Sequence, residues 1–182
     1  MTVCSINAGG QYEALIKENA NYKAILTSAG GMKRNMVYRN LPMSMVYRFF
    51  VPQGSDVEIA YSEGFATKLL SASSNKKAKK YAWVHTDLNK NHWTQDVFAE
   101  LKEEVDVYNR FDKVIGIAHL ICEAFRKAIP GVKVPVETIY APIDSLSVRL
   151  KSLNSGNDNE TPVKTRLVAH GRLESKNEYE EN

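Results

Sequence analysis

Lys79-Lys80-Tyr81-Ala82-Trp83-Val84-His85-Thr86-Asp87-Leu88 is the stretch that decides the fold. Five residues from Tyr81 to His85 are apolar or aromatic, with no proline or glycine to interrupt them. Polar and ionisable residues follow at once. That order reads as a buried strand running into a polar loop. In a parallel α/β sheet the carboxyl ends of strands are where ligands bind.

Working outward, apolar spacing alternates between short runs and helical periods. Residues 2–6 read as a strand, 11–18 as a helix and 22–26 as a strand. Residues 33–50 carry apolar side chains at helical spacing, and Pro42 predicts a kink or two short helices there. Residues 56–61 read as a strand and 63–72 as a helix. Residues 79–85 form the next strand. Over 92–111, Val97, Phe98, Leu101, Val105 and Tyr108 share one face, which predicts a single amphipathic helix. A strand at 113–118, a helix at 119–129 closed by Gly131, and a strand at 134–140 complete the series. This alternation predicts an α/β domain with a mostly parallel sheet and, through right-handed crossovers, helices on both faces.

After Leu153 the composition changes. Asn154-Ser155-Gly156-Asn157-Asp158-Asn159-Glu160-Thr161-Pro162 is polar, contains glycine and proline, and reads as a linker. One more strand is expected at 165–170, followed by a turn at Gly171 and a charged end. A lone strand is not a domain, so it either opens a second domain or adds to the first sheet. The organisation read from this is a domain over 1–153, a linker over 154–163 and the start of a second domain over 164–182.

The 182 residues are enough for one ordinary core. The composition, 43% hydrophobic and 25% charged, is that of a globular protein. A net charge of +3 is too small to argue for a nucleic-acid partner. No apolar run approaches the roughly 20 residues of a membrane-spanning helix, and the N-terminus lacks the pattern of a signal peptide. Cys4 and Cys122 sit in apolar patterns and read as reduced core thiols of a cytosolic protein. The four histidines are scattered, so no metal site is expected.

Several residues carry both a chemical and a structural reading. His85, at the strand end, is either a polar contact to a ligand or a packed imidazole bonded to backbone. Asp87 either helps to bind a ligand or caps the next segment. Glu63 and Gly64, between a strand and a helix, either face a cleft or belong to a helix cap formed by Ser62 and Glu63. Gly171 would let the backbone approach a ligand, with Arg172 and Lys176 neutralising an anion there; the alternative is a solvated loop. Ala8-Gly9-Gly10 lacks the G-x-G-x-x-G spacing of a dinucleotide loop and reads as a turn. Lys76, Lys77, Lys79 and Lys80 form a basic run, either a solvated loop or a contact to anionic lipid headgroups. Without interleaved aromatics, nucleic acid is not expected to bind there.

The Trp83-Val84-His85-Thr86-Asp87 block resembles the "W-hydrophobic-H-x-D" strand end of family-4 glycosyltransferases of bacterial surface-polysaccharide pathways. Val168-Ala169-His170-Gly171-Arg172-Leu173-Glu174-Ser175-Lys176 is similar to the start of their carboxy-terminal domain. Tyr108 to Ala118 and Thr138 to Asp144 resemble two further strand regions, and Glu63-Gly64 matches a frequent "E-G". The resemblance implies an incomplete GT-B architecture of two Rossmann-like domains. It implies transfer of a sugar from a nucleotide-sugar donor to a glycan or lipid-linked acceptor, with neither metal nor cofactor. His85 would contact the donor sugar, and Gly171, Arg172 and Lys176 would hold its diphosphate. Glu63, Gly64 and Asp87 would face the cleft, at a cytoplasmic site or the inner face of a membrane. Ala118-His119 stands where the family has Ser-Glu, and Ala141 where it has Asn. The family's opening strand with its Gly-rich loop and its paired glutamates have no counterpart here. The expectation is therefore an enzyme fragment inactive alone; the alternative is a non-catalytic α/β module that associates with a separately encoded donor domain.

Overall fold

The computed structural model of the chain describes residues 1–26 and 41–154. The chain divides into two units, Met1–Pro142 and Ile143–Asn182. The first contains β1 (Thr2–Asn7), α1 (Glu13–Asn19), β2 (Asn21–Leu26), α2 (Met43–Phe50), β3 (Val57–Ala60), α3 (Phe65–Ser71), β4 (Lys79–Val84), a 3-10 turn (Trp93–Asp96), α4 (Leu101–Tyr108), β5 (Lys113–Gly116), α5 (His119–Ala128) and β6 (Val136–Thr138). Every strand pairing among the described residues is parallel. β1 and β2 form one sheet, and β3-β4-β5-β6 form another in that order. This is a Rossmann-like α/β fold, as the strand–helix alternation predicts.

The register explains where the core lies. Ala60 pairs with Ala82, and Ala82 with Val114, so these side chains share one face of the sheet. All three are buried, with Val84 beside them. A single apolar cluster joins them to Val46 and Tyr47 of α2, Leu69 and Leu70 of α3, Val107 and Tyr108 of α4, and Phe125 of α5. Each such side chain contributes about 1.5–3 kcal/mol through burial. Tyr108 and Phe125 meet edge to face at 4.8 Å. Steps from β3 to β6 all run one way, and right-handed crossovers then lay their helices on one face. Val57, Ile59 and Tyr61 point to the other face and stay 50%, 49% and 58% exposed.

Two expectations are corrected here. Residues 92–111 are not one helix. Glu100 is extended (φ −147°, ψ 154°), which separates the 3-10 turn from α4. The break turns Thr94 and His92 onto Glu104, a bond set that a continuous helix would not form. Thr94 Oγ1 donates to Glu104 Oε1 at 2.7 Å, and His92 Nε2 bonds Oε2 at 2.8 Å. Cys4 is not a core thiol: it is exposed on β1, whose second edge pairs with no described strand. Cys122 is buried, as expected, and its sulfur meets the Glu137 carbonyl at 3.4 Å.

In the second unit, α6 (Ser145–Asn154) occupies residues for which no helix is expected. Asp144 starts it by accepting from Ser147 N at 3.0 Å and from Ser147 Oγ at 2.6 Å. Those two bonds hold the Asp144 carboxyl below its usual range. The 33–40 part of the expected helix and the 165–170 strand lie outside the described residues.

Candidate functional site

The carboxyl end of β4, an internal strand, carries the densest polar constellation. β4 stops at Val84 because the next two amides leave the ladder and turn to a carboxylate. Glu63 Oε1 accepts from His85 N at 2.6 Å, Thr86 N at 2.7 Å and Thr86 Oγ1 at 2.9 Å. Glu63 is only 3% exposed. A buried carboxylate receiving three hydrogen bonds fixes the backbone of the loop that presents His85.

Glu63 reaches this position because it precedes α3 rather than starting it. Gly64 is the cap residue, with φ 74° and ψ −117°, and no side chain caps the helix. The expected Ser62–Glu63 cap is thus absent; Ser62 Oγ instead donates to the Glu63 carbonyl at 3.3 Å. A Cβ on Gly64 would stand 3.0 Å from Trp93 Cη2 and 3.3 Å from Val97 Cγ2. Positive φ and close approach together require glycine here. Trp93 continues the chain of contacts, its Nε1 donating to Thr86 Oγ1 at 3.1 Å.

The His85 imidazole lies half-buried on the open face of the sheet. Its Nε2 is 3.0 Å from the Tyr61 carbonyl. A carbonyl only accepts, so Nε2 carries the proton. In the neutral ring Nδ1 is then an acceptor, and it has no partner among the described residues. The Tyr61 ring stands edge-on to the imidazole at 4.8 Å and tilts against Trp83 at 5.6 Å. Tyr61, Trp83 and His85 therefore make an aromatic shelf beside a fixed hydrogen-bond acceptor. Asp87 is engaged locally: its Oδ1 accepts from Asn89 N and Lys90 N, each at 3.1 Å.

Behind Glu63 lies a buried polar layer that local sequence patterns do not single out. Thr67, Thr94, Glu104 and Tyr108 are essentially inaccessible. Thr67 Oγ1 donates to the Ser62 carbonyl at 2.9 Å. Burial, and then the charges of Glu104 and Glu63, push the Tyr108 hydroxyl well above its ordinary pKa. Its proton stays in place beside the two carboxylates. The sequence signal for this layer is faint: a single acidic residue, Glu104, at a core-facing position of α4.

The basic run lies at the other end of β4. Lys79 Nζ bonds Asp112 Oδ1 at 2.9 Å, and Lys80 N bonds Asp112 Oδ2 at 2.8 Å. These bonds, the amide foremost, hold the Asp112 carboxyl below its usual range. Lys76 and Lys77 are exposed. The run is separated from His85 by the length of the strand, about 20 Å at the usual rise. Gly171, Arg172 and Lys176 lie outside the described residues. A cleft of about 410 Å³ between α3 and α4 is lined by Lys68, Glu103 and Arg110 among others and includes none of the expected site residues. Lys68 is paired with Glu103 at 2.8 Å, so that cleft is a charged groove in the helix layer. No group of three or more potential metal ligands occurs among the described residues, and no described helix is long and apolar enough to cross a membrane.

Fold and site together define a parallel α/β domain with a histidine braced at the carboxyl end of an internal strand. No family model, curated protein or solved structure matches the sequence.

Proposed function

We propose that the chain is the acceptor-side part of a glycosyltransferase of the family-4 type. It works in transfer of a sugar from a nucleotide-sugar donor to a glycan or lipid-linked acceptor. The observation that carries the reading is the His85 imidazole, with Nδ1 open and Nε2–H committed to the Tyr61 carbonyl. Sugars present hydroxyl donors and weakly apolar ring faces. An acceptor nitrogen beside Tyr61 and Trp83 matches both. His85 accepts a hydrogen bond from a sugar hydroxyl near the reacting centre. Glu63 is a positioning residue: with Oε1 used three times over, it acts through the His85–Thr86 backbone. Gly64 keeps Trp93 against Thr86. Asp87 shapes the following turn.

In this reading Gly171, Arg172 and Lys176 approach the donor diphosphate, where charge develops as the glycosidic bond breaks. Lys76 and Lys77 are the lysines of the basic run left to meet an anionic membrane surface, at the end of the sheet away from His85. The donor is held, in this reading, mainly by a second domain of the family-4 type, so residues 1–182 assayed by themselves position it poorly. Positioning accounts for up to roughly 7–11 kcal/mol of rate enhancement in favourable cases. Purified chain incubated with a panel of nucleotide sugars and lipid-linked acceptors should release no more nucleoside diphosphate than the His85→Ala variant. Robust release that vanishes in His85→Ala would show that the chain holds the whole reaction and would overturn this division of labour. Robust release unchanged in that variant would remove His85 from the site.

A further inference from the structure

Among the described residues, β1 and β3 each have one paired edge and one edge without a strand partner. Among those residues β1 pairs only with β2, and β3 only with β4. Between them lies a cleft of about 160 Å³, lined by Cys4, Ser5 and Ile6 of β1 and by Val57, Glu58 and Ile59 of β3. Successive strand residues point to opposite faces. A cavity touched by three consecutive residues of each strand therefore borders their edges, where backbone N–H and C=O groups stand. Leu69 and Leu70 of α3 also line it, giving an apolar floor.

The cleft contains one charge. Glu58 is 5% exposed, and its Oε1 accepts from Tyr47 Oη at 2.6 Å and Asn75 Nδ2 at 3.2 Å. Its Oε2 is buried and has no partner. A buried carboxylate oxygen left without a donor is costly. Strand edges without a partner are templates for further pairing.

We propose that this cleft is a strand-acceptor site, which takes an extended segment of a separate polypeptide between β1 and β3. The segment bonds both edges and joins the two sheets into one. Its chemistry follows from the lining. It spans four to six residues, the lengths of β3 and β1. Its residues facing α3 are apolar and β-branched, because a strand in that position is covered on the α3 side, and the alternate residues face the open side of the sheet. It carries one lysine or hydroxyl donor to complete Glu58. Strand addition of this kind draws affinity from main-chain bonds and specificity from side-chain pockets. The inference is independent of the sugar-transfer reading, since it involves neither His85 nor Glu63.

Cys4 supplies a reporter, because it lines the cleft and is exposed while Cys122 is buried. The full chain is alkylated with iodoacetamide, with and without a capped, Val/Ile-rich eight-residue peptide bearing lysines. A peptide of the same composition with two central prolines, which cannot donate along the edges, serves as control. Backbone hydrogen exchange is read in parallel. The proposal expects about tenfold slower Cys4 alkylation and slower exchange in both β1 and β3 with the first peptide, and no change with the second. Glu58→Gln should weaken the effect severalfold. Unchanged alkylation and exchange, equal effects of the two peptides, or a free chain whose β1 and β3 edges already exchange as slowly as β4 and β5 would each overturn it. The last result would mean the gap is filled from within the chain.

Discussion

Replacing Glu63 by alanine removes the acceptor that organises the strand end, and its cost can be worked from the bonds it makes. Three donors converge on one buried carboxylate oxygen: His85 N, Thr86 N and Thr86 Oγ1. Thr86 is exposed, so its hydroxyl recovers water, and it also accepts from Trp93. The two backbone amides are partly buried and lose their partner. Each stranded donor costs about 1–3 kcal/mol, and the bonds are charge-assisted. Relief from desolvating the carboxylate offsets part of this. The expected net loss is about 3 kcal/mol. Glu63→Gln keeps an oxygen acceptor without the charge and should lose about 1–2 kcal/mol. Urea unfolding reads both as a lower midpoint at constant slope. Exchange of the His85 and Thr86 amides should rise first, because the opening is local. An alanine variant within about 0.5 kcal/mol of the wild type would refute the bracing role of Glu63.

Gly64→Ala combines positive φ with a Cβ 3.0 Å from the Trp93 ring, and should cost about 2 kcal/mol or more while shifting Trp93 fluorescence; an unchanged melting curve would contradict it. Glu104→Ala strands the Thr94 hydroxyl and the His92 imidazole, and thermal unfolding should show a loss of about 2–4 kcal/mol. Burial, and then the bond to Glu58, raise the Tyr47 hydroxyl from 10.0 to about 12. The unfolded chain thus loses this proton about two pH units before the folded one. The contribution is intact below pH 10 and is lost as pH rises toward 12, by about 2–3 kcal/mol in all. Phenolate absorbance against pH, with Tyr47→Phe as reference, checks the sign; stability rising over that window would contradict it.

Strand β4 was legible because its residues alternate between small core-facing side chains and aromatics, then turn polar at once. The parallel architecture followed from that strand and its helical neighbours. The helix across 92–111 was misread for a physical reason: Val97, Phe98, Leu101, Val105 and Tyr108 do fall at helical spacing. What breaks it is the bond set of Glu104 to Thr94 and His92, a tertiary preference that no local pattern contains. Glu63 looked like a first-turn acid of a cap because Ser62 precedes it. Its true acceptor role depends on β4 lying beside β3, which is a matter of register. Cys4 read as core because its neighbours are apolar, whereas exposure depends on whether an edge is paired. α6 escaped notice although Leu146, Leu150 and Leu153 fall at i, i+4 and i+7; all three stay exposed, so no core contact accompanies that spacing.

The account turns on His85 as a saccharide-facing acceptor braced by Glu63. Nitrogen-15 spectra of the histidine side chains in the full chain, titrated with nucleotide sugars and with acceptor oligosaccharides, test it most directly. The account predicts that free His85 is protonated on Nε2, and that saccharide addition shifts its Nδ1 resonance while His92 and His119 stay in place. An Nδ1-protonated ring in the free chain, or a His85 signal indifferent to every saccharide in a folded protein, would contradict it.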